Sequence, residues 1–331
     1  MNYPVNIVAD IGGTNARFAC IAENGNALYD FRNYACEDFQ HFREVILAYL
    51  NDSNIKHPGR LCIAVAGVVE KDWIDLPNNH FAFSQFTLQK ELGLEIIFIN
   101  DFTAQLKSIG SLVSSELHWL GRQRPRGKFI HAAVGPGTGL GVAGQTPSGE
   151  IIPSEGGHFA WAPLDSHEYE LLKLCWERYP RVSVERLLSG PGLSLLYWAN
   201  SILHGQEREM KAADITNSAR GGDAICMRTV RDFIQILGSV AGDIAIVMGA
   251  LDGIYLMGDM LLHLRGLYRP VLLRNRFNDK GRYADYCASI PLAVVEASNT
   301  GLRGCVKMLQ ETKRDHLFNQ QLFYQKTEQP D

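Results

Sequence analysis

The chain has 331 residues, 46% hydrophobic and 21% charged, with a net charge of −4. This is length enough for two ordinary domains, and the acidic balance without a long basic run argues against nucleic acid as the main partner. Met1-Asn2-Tyr3-Pro4 has no basic leader, the apolar stretch at 244–257 is broken by Asp252 and Gly253, and the seven cysteines form no CxxC pair, so we expect no secretory signal, no membrane span, and reduced thiols in a cytoplasm.

The first element is the one that organises the rest. Val5-Asn6-Ile7-Val8-Ala9-Asp10-Ile11 is an apolar run interrupted near its end by a carboxylate. Gly12, Gly13, Thr14 and Asn15 follow, then a second apolar run from Phe18 to Ala22. The pattern predicts strand, tight turn, strand. Without Cβ atoms, the main-chain N–H groups of the turn can approach an anion closely. Thr14 and Asn15 add side-chain donors, and Asp10 is placed to hold a hydrated Mg²⁺ against phosphate oxygens. The turn is neither a Walker loop nor a dinucleotide fingerprint. An ordinary Gly-Gly hairpin is the competing reading.

A third strand is expected over 27–34 and a helix over 39–50. Next come a buried strand over 60–67, a polar loop at 75–80, a short helix through 88–92 and a buried strand over 95–99. The last strand ends on Asn100-Asp101, and a helix is expected from Phe102 to Ile109. Residues 111–128 are polar, basic and weakly patterned, which sets a domain boundary near 111.

The second half begins with a strand from Phe129. It runs into Gly135-Pro136-Gly137-Thr138-Gly139-Leu140-Gly141, again strand, glycine turn with a threonine, strand. The echo implies two related halves, each with a phosphate-type turn. Helices are expected over 166–178 and 192–203, the latter with Ser189 as cap and Pro191 in its first turn, and another from Asp214. A long helix over 223–250 should break near Gly238 or Gly242. Strands at 253–258 and 291–296 and a last helix over 301–309 complete the pattern. From Glu311 onward the chain is polar, and we expect a partly ordered extension.

Asp101 reads in two ways: as the cap of a helix starting at Phe102, or as a general base at a strand end. Glu155 and His158 stand three apart around Gly156 and Gly157, a flexible turn whose acceptor and donor suit a polyhydroxyl ligand better than a metal. Glu185 is either another carboxylate of that set or an exposed surface charge. Asn78, with Asn79 and His80, is either a ligand contact or a turn former.

These motifs together resemble the bacterial glucokinases of the hexokinase and actin-like superfamily, in the group without a zinc motif. The matching pieces are Asp10–Arg17, Phe81-Ala82-Phe83, Ile99–Ala104, Gly135–Gly141, Glu155–His158, Glu185–Leu193 and Lys280-Gly281-Arg282, in family order over nearly the whole chain. The resemblance implies an α/β, two-domain actin-like ATPase (ribonuclease H-like) fold with a central cleft. It implies a small domain at 1–111 joined by the C-terminal helix near 298–312, a large domain at 112–297, and an extension at 313–331. The implied reaction is ATP and D-glucose to glucose 6-phosphate and ADP, the first step of glycolysis, with Mg²⁺, commonly in a homodimer. Carried over by position, Asp101 takes the proton of the sugar 6-hydroxyl. Asn78, Asn100, Asp101, Glu155, His158 and Glu185 bind the sugar. Ala9, Asp10, Ile11, Gly12, Gly13, Thr14 and Asn15, with Gly137, Thr138, Gly139 and Gly258, hold ATP, and Asp10 reaches Mg²⁺ through water.

One departure stands out. Where the family usually shows Gly-Gly after the strand ending at Met257, this chain has Gly258-Asp259. A carboxylate there repels phosphates or bonds a ribose hydroxyl, so altered nucleotide affinity or donor choice is expected, and an unchanged ATP Michaelis constant in Asp259→Gly would refute it. The rival readings are a kinase for mannose or an N-acetylhexosamine, a sugar-sensing repressor, and a non-catalytic sugar binder. With the phosphate turn at residue 10, an acidic charge and no cysteine-rich zinc motif, we expect no N-terminal DNA-binding domain, which weighs against the repressor.

Overall fold

Two glycine-tipped hairpins each organise a sheet in the computed structural model, which describes residues 4–22, 25, 27–76 and 79–312. The chain divides into two units, one of residues up to Leu112 together with those from Ser298 onward, the other Val113–Ala297.

The first unit runs β1 (Val5–Ile11), β2 (Asn15–Ile21), β3 (Leu28–Ala35), α1 (Phe42–Asp52), β4 (Pro58–Val65), β5 (Trp73–Asp75), β6 (Ala82–Ser84), α2 (Gln85–Leu92), β7 (Ile96–Asn100) and α3 (Asp101–Ser108). The second runs β8 (Leu117–Trp119), β9 (His131–Pro136), β10 (Leu140–Gln145), β11 (Ile151–Ser154), α4 (Ser166–Arg178), α5 (Gly190–Leu203), α6 (Ala212–Arg220), α7 (Ala224–Met248), β12 (Ile254–Leu256), α8 (Asp259–His263), α9 (Pro270–Asn278), α10 (Ala284–Ser289) and β13 (Leu292–Val295). The chain then returns to the first unit as α11 (Thr300–Glu311).

The sheets share one strand order. The first is β3-β2-β1-β4-β7 and the second β11-β10-β9-β12-β13, with β8 added at its edge. In each, the hairpin strands are antiparallel and the next two strands are parallel to the first. The echo of glycine turns in the sequence is therefore a duplicated topology.

Alternation along β1 explains the layers of the first unit. Ile7, Ala9 and Ile11 face a core with Phe18, Tyr49 and Ile63 of β2, α1 and β4. Val8 faces the other way, with Ala104 of α3 and Leu302 and Cys305 of α11. The two helices on that face approach to backbone contact: a Cβ at Gly304 would overlap the carbonyl oxygen of Ala104. Arg60 of β4 ties down the far end of α11, donating to the carbonyls of Leu309 (2.8 Å) and Thr312 (2.7 Å).

Several elements differ from the sequence reading. The long helix α7 runs unbroken for 25 residues. Its glycines serve packing, because a Cβ at Gly238 or Gly242 would lie 2.5 Å from the carbonyl of Leu273 or Phe277 on α9. A pattern reading sees only the propensity cost of glycine and not the neighbour that requires it. Asp75, expected in a loop, closes the small β5–β6 pair, and β8 emerges from the weakly patterned stretch as an antiparallel edge on β13. Short edge strands carry little alternation to detect. The extension expected beyond residue 312 lies outside the described residues.

Asp252 anchors the entry to β9. It is 2% exposed and accepts the backbone N–H groups of Arg126 (2.7 Å), Lys128 (2.5 Å) and Phe129 (2.8 Å). Burial alone would push its carboxyl up; the three N–H donors and nearby His131 outweigh burial and hold it below the usual carboxylate value. Its stabilising contribution is therefore complete at neutral pH and is lost as pH falls below the ordinary carboxylate value through the depressed one. Asp252→Ala is expected to lower unfolding free energy by about 1–3 kcal/mol for each orphaned donor, read by urea denaturation.

Candidate active site

In the first unit, strand register brings two sequence-distant features to one edge. Ile11 pairs with Val65, and Val65 pairs with Asn100. The carboxyl ends of β1, β4 and β7 are thus level, and the turn Gly12-Gly13-Thr14 stands on the same edge as Asn100-Asp101. Strand carboxyl edges are where open α/β sheets bind ligands.

The first turn is held from three sides. The Gly12 N–H donates to the carbonyl of Asn15 (2.9 Å), the Cys36 N–H to that of Thr14 (2.8 Å), and the Asn79 amide to that of Gly12 (3.2 Å). Gly12 and Thr14 remain exposed, and Ala9 is buried within β1. Asn79, read from sequence only as part of a polar loop, is a prop for the phosphate-type turn. Asn78, its neighbour, lies outside the described residues.

Asp10 follows Val8 on the α11 side of the sheet. A Cβ at Gly301, in the first turn of α11, would lie 2.7 Å from its Oδ2, so Gly301 leaves the space the carboxylate fills. Among the described residues no three His, Cys, Asp or Glu side chains cluster as a metal cage. A single carboxylate cradled at a strand end suits Mg²⁺, which keeps several waters and binds through one or two carboxylates and substrate phosphates.

Helix α3 begins one residue earlier than its apolar pattern suggests. Asn100 is the cap, its side chain accepting the N–H groups of Phe102 and Thr103, both at 3.0 Å. The Asn100 amide also donates to the Gly67 carbonyl (3.3 Å) and keeps a second N–H for another acceptor. With the cap supplied by Asn100, Asp101 is not needed for it. The Asp101 carboxylate accepts the Phe102 N–H at 2.7 Å. Burial pushes its carboxyl above the ordinary value, against the lowering effect of the Phe102 N–H and its own. A carboxylate with raised basicity at a helix start is what a general base requires.

In the second unit, the turn Gly137-Thr138-Gly139 sits between β9 and β10, with Gly137 and Thr138 exposed. The Gly137 N–H donates to the carbonyl of Gly139, and the Gly190 N–H at the start of α5 donates to that of Gly137, both at 2.8 Å. Ser189 caps α5 and Pro191 lies in its first turn. Gly258 ends the β12 segment against the same hairpin. Its φ is 104°, and a Cβ there would be 2.7 Å from the Pro136 carbonyl, so only glycine fits. Asp259 opens the short helix α8.

Gly156, Gly157 and His158 form one 3-10 turn directly after Glu155, not a flexible loop. Gly157 is buried, and a Cβ there would lie 2.5 Å from the Leu140 carbonyl. His158 Nε2 is 3.9 Å from Glu155 Oε2, and its Nδ1 is 3.9 Å from Glu185 Oε1. The structure therefore gathers Glu155, His158 and Glu185 into one group. Glu185 is 32% exposed and its Oε2 accepts the Leu140 N–H at 2.9 Å. That bond was invisible in sequence, since its donor is a main-chain group 45 residues away.

The duplicated strand order, with a glycine turn in each copy, is that of the actin-like ATPase fold. The family model described as Glucokinase matches residues 7–312. The glucokinase of Chromohalobacter salexigens is 39% identical over 308 residues, covering 92% of this chain and 97% of that protein. That of Neisseria gonorrhoeae is 35% identical over 319 residues, covering 93% and 95%. A crystal structure of glucokinase from an Antarctic psychrotroph, 31% identical, superposes with a TM-score of 0.82 over 94% of this chain and 100% of that one. The chain belongs to the glucokinase family.

Proposed function

We propose that this chain transfers the γ-phosphoryl group of ATP to the 6-hydroxyl of D-glucose, with Asp101 as general base. The observation that carries the proposal is the placement of the Asp101 carboxylate at the start of α3, on the same sheet edge as the Gly12-Gly13-Thr14 turn, where burial also pushes its carboxyl up. Phosphoryl transfer asks the protein mainly to position groups and stabilise charge, while a carboxylate accepts the hydroxyl proton late. Asp101 takes that proton at its carboxylate. The main-chain groups of both glycine turns, with Thr14, Thr138 and Gly258, hold the nucleotide. Asn78, Asn100, Glu155, His158 and Glu185 bind the sugar hydroxyls, which need paired donors and acceptors. A site built on such pairs rejects sugars that lack a hydroxyl.

Mg²⁺ belongs to the same proposal, held through water by Asp10, and supplies charge neutralisation at the phosphates when bound. Family membership favours glucose over mannose or an N-acetylhexosamine, and turnover over sensing. Among the described residues no helix is long and apolar enough to cross a membrane. A cytoplasmic homodimer completes the proposal, and sedimentation at assay concentration reads the assembly state. The decisive experiment is an ADP-coupled assay with ATP and Mg²⁺ over a sugar panel. Glucose is expected to give the highest kcat/KM; a higher value for mannose or N-acetylglucosamine would replace the proposed substrate.

A further inference from the structure

The sugar-binding group and the second phosphate turn meet at one peptide, that of Leu140. Its N–H donates to Glu185 Oε2 at 2.9 Å, and its carbonyl packs against the backbone of Gly157 so closely that a Cβ there would lie 2.5 Å away. Leu140 directly follows Gly137-Thr138-Gly139. Gly139 itself abuts Glu185: a Cβ would come 2.5 Å from Oε2 and 3.2 Å from the carboxyl carbon.

We infer that Glu185, besides binding sugar, is a positioning residue for the phosphate turn, so that sugar and nucleotide bind cooperatively through the Leu140 peptide and Gly139. The inference rests on the proposed sugar and ATP roles. A turn with two glycines has large backbone freedom, and fixing it costs entropy when phosphate binds. A carboxylate has lone pairs enough to accept the Leu140 N–H and a sugar hydroxyl together. Sugar that immobilises Glu185 therefore immobilises the end of the turn, and the nucleotide meets a partly ordered site. Linkage makes the effect reciprocal: an ordered turn holds Glu185 ready for sugar.

The test crosses the two ligands. Titration calorimetry measures glucose alone, a non-hydrolysable ATP analogue alone, and each in the presence of the other. Gly139→Ala, on the phosphate turn, is expected to weaken glucose binding in nucleotide-free enzyme by about tenfold, because the methyl group displaces the Glu185 carboxylate. Glu185→Gln, in the sugar group, is expected to weaken the analogue in sugar-free enzyme by at least about threefold and to cut the glucose–analogue coupling. Thermal melts establish that each variant is folded, and if Gly139→Ala does not fold, Glu185→Gln decides alone. Analogue affinity unchanged by Glu185→Gln, or glucose affinity unchanged by Gly139→Ala, overturns the inference while leaving the proposed reaction intact. Wild-type protein that binds no glucose overturns the proposed reaction and the inference with it.

Discussion

Asp101→Asn is expected to remove turnover and to raise the melting temperature at neutral pH. The first effect follows from its proposed role, since a positioned general base is worth about 10² to 10⁴ in rate. The second follows from the direction of its titration. Burial, the largest cause, raises its folded value above the ordinary one. The folded state thus binds the proton more tightly than the unfolded chain. Stability from this group is fully present below the ordinary carboxylate value and is lost as pH rises through the raised one. At pH 7 the ionised side chain is a net cost. Asparagine removes the charge and keeps an oxygen for the Phe102 N–H, so the start of α3 survives. Calorimetric melts at pH 7 should show the variant above wild type, with the gap closing in acid. A lower melting temperature would mean that the carboxylate is better solvated than its surroundings indicate. The wild-type kcat/KM should fall on its acid side at a pH above the ordinary carboxylate value; a fall only near the ordinary value would remove the raised group from the rate.

Gly304→Ala is expected to be the most disruptive single-methyl change in the first unit. The added carbon would overlap the Ala104 carbonyl, a backbone atom that no rotamer change can move away. Helices α3 and α11 must separate, at a cost of at least about 1–3 kcal/mol. Alanine ordinarily favours a helix over glycine by roughly 1 kcal/mol, so the sign of the measured change separates packing from propensity. Because α3 begins with Asp101, a shift of that helix also displaces the proposed base. Urea denaturation should show reduced stability, and kcat should fall while the variant remains folded. Stability equal to or above wild type would show that the helices part without strain. Gly301→Ala shares the helix but points at the Asp10 carboxylate, 2.7 Å from where its Cβ would stand.

Much of the candidate site was legible because it is built from local pattern. An apolar run that ends in Asp10-Ile11-Gly12-Gly13-Thr14 declares a strand and a turn without help from distant residues, and so does Gly135–Gly139. Ser189 and Pro191 announced the start of α5 for the same reason. The readings that changed depended on distant neighbours. Asp101 read as either a cap or a base, and only the structure shows the Asn100 side chain accepting the Phe102 and Thr103 N–H groups. Gly238 and Gly242 looked like breaks until α9 was found against them. Gly156 and Gly157 looked like a flexible stretch, yet Gly157 is pressed on the Leu140 carbonyl.

The sequence by itself determined the two glycine turns, the carboxylates and amides of the site, and the family, because turn chemistry and alternation act over a few residues. Only the tertiary structure decided which of those groups meet. Register levelled Asp101 with the first turn, burial pushed its carboxyl up, and contacts 17 to 45 residues apart joined Gly157 and Glu185 to the Leu140 peptide. Pairing, dielectric and excluded volume belong to neighbours in space, and a chain read in one dimension does not contain them.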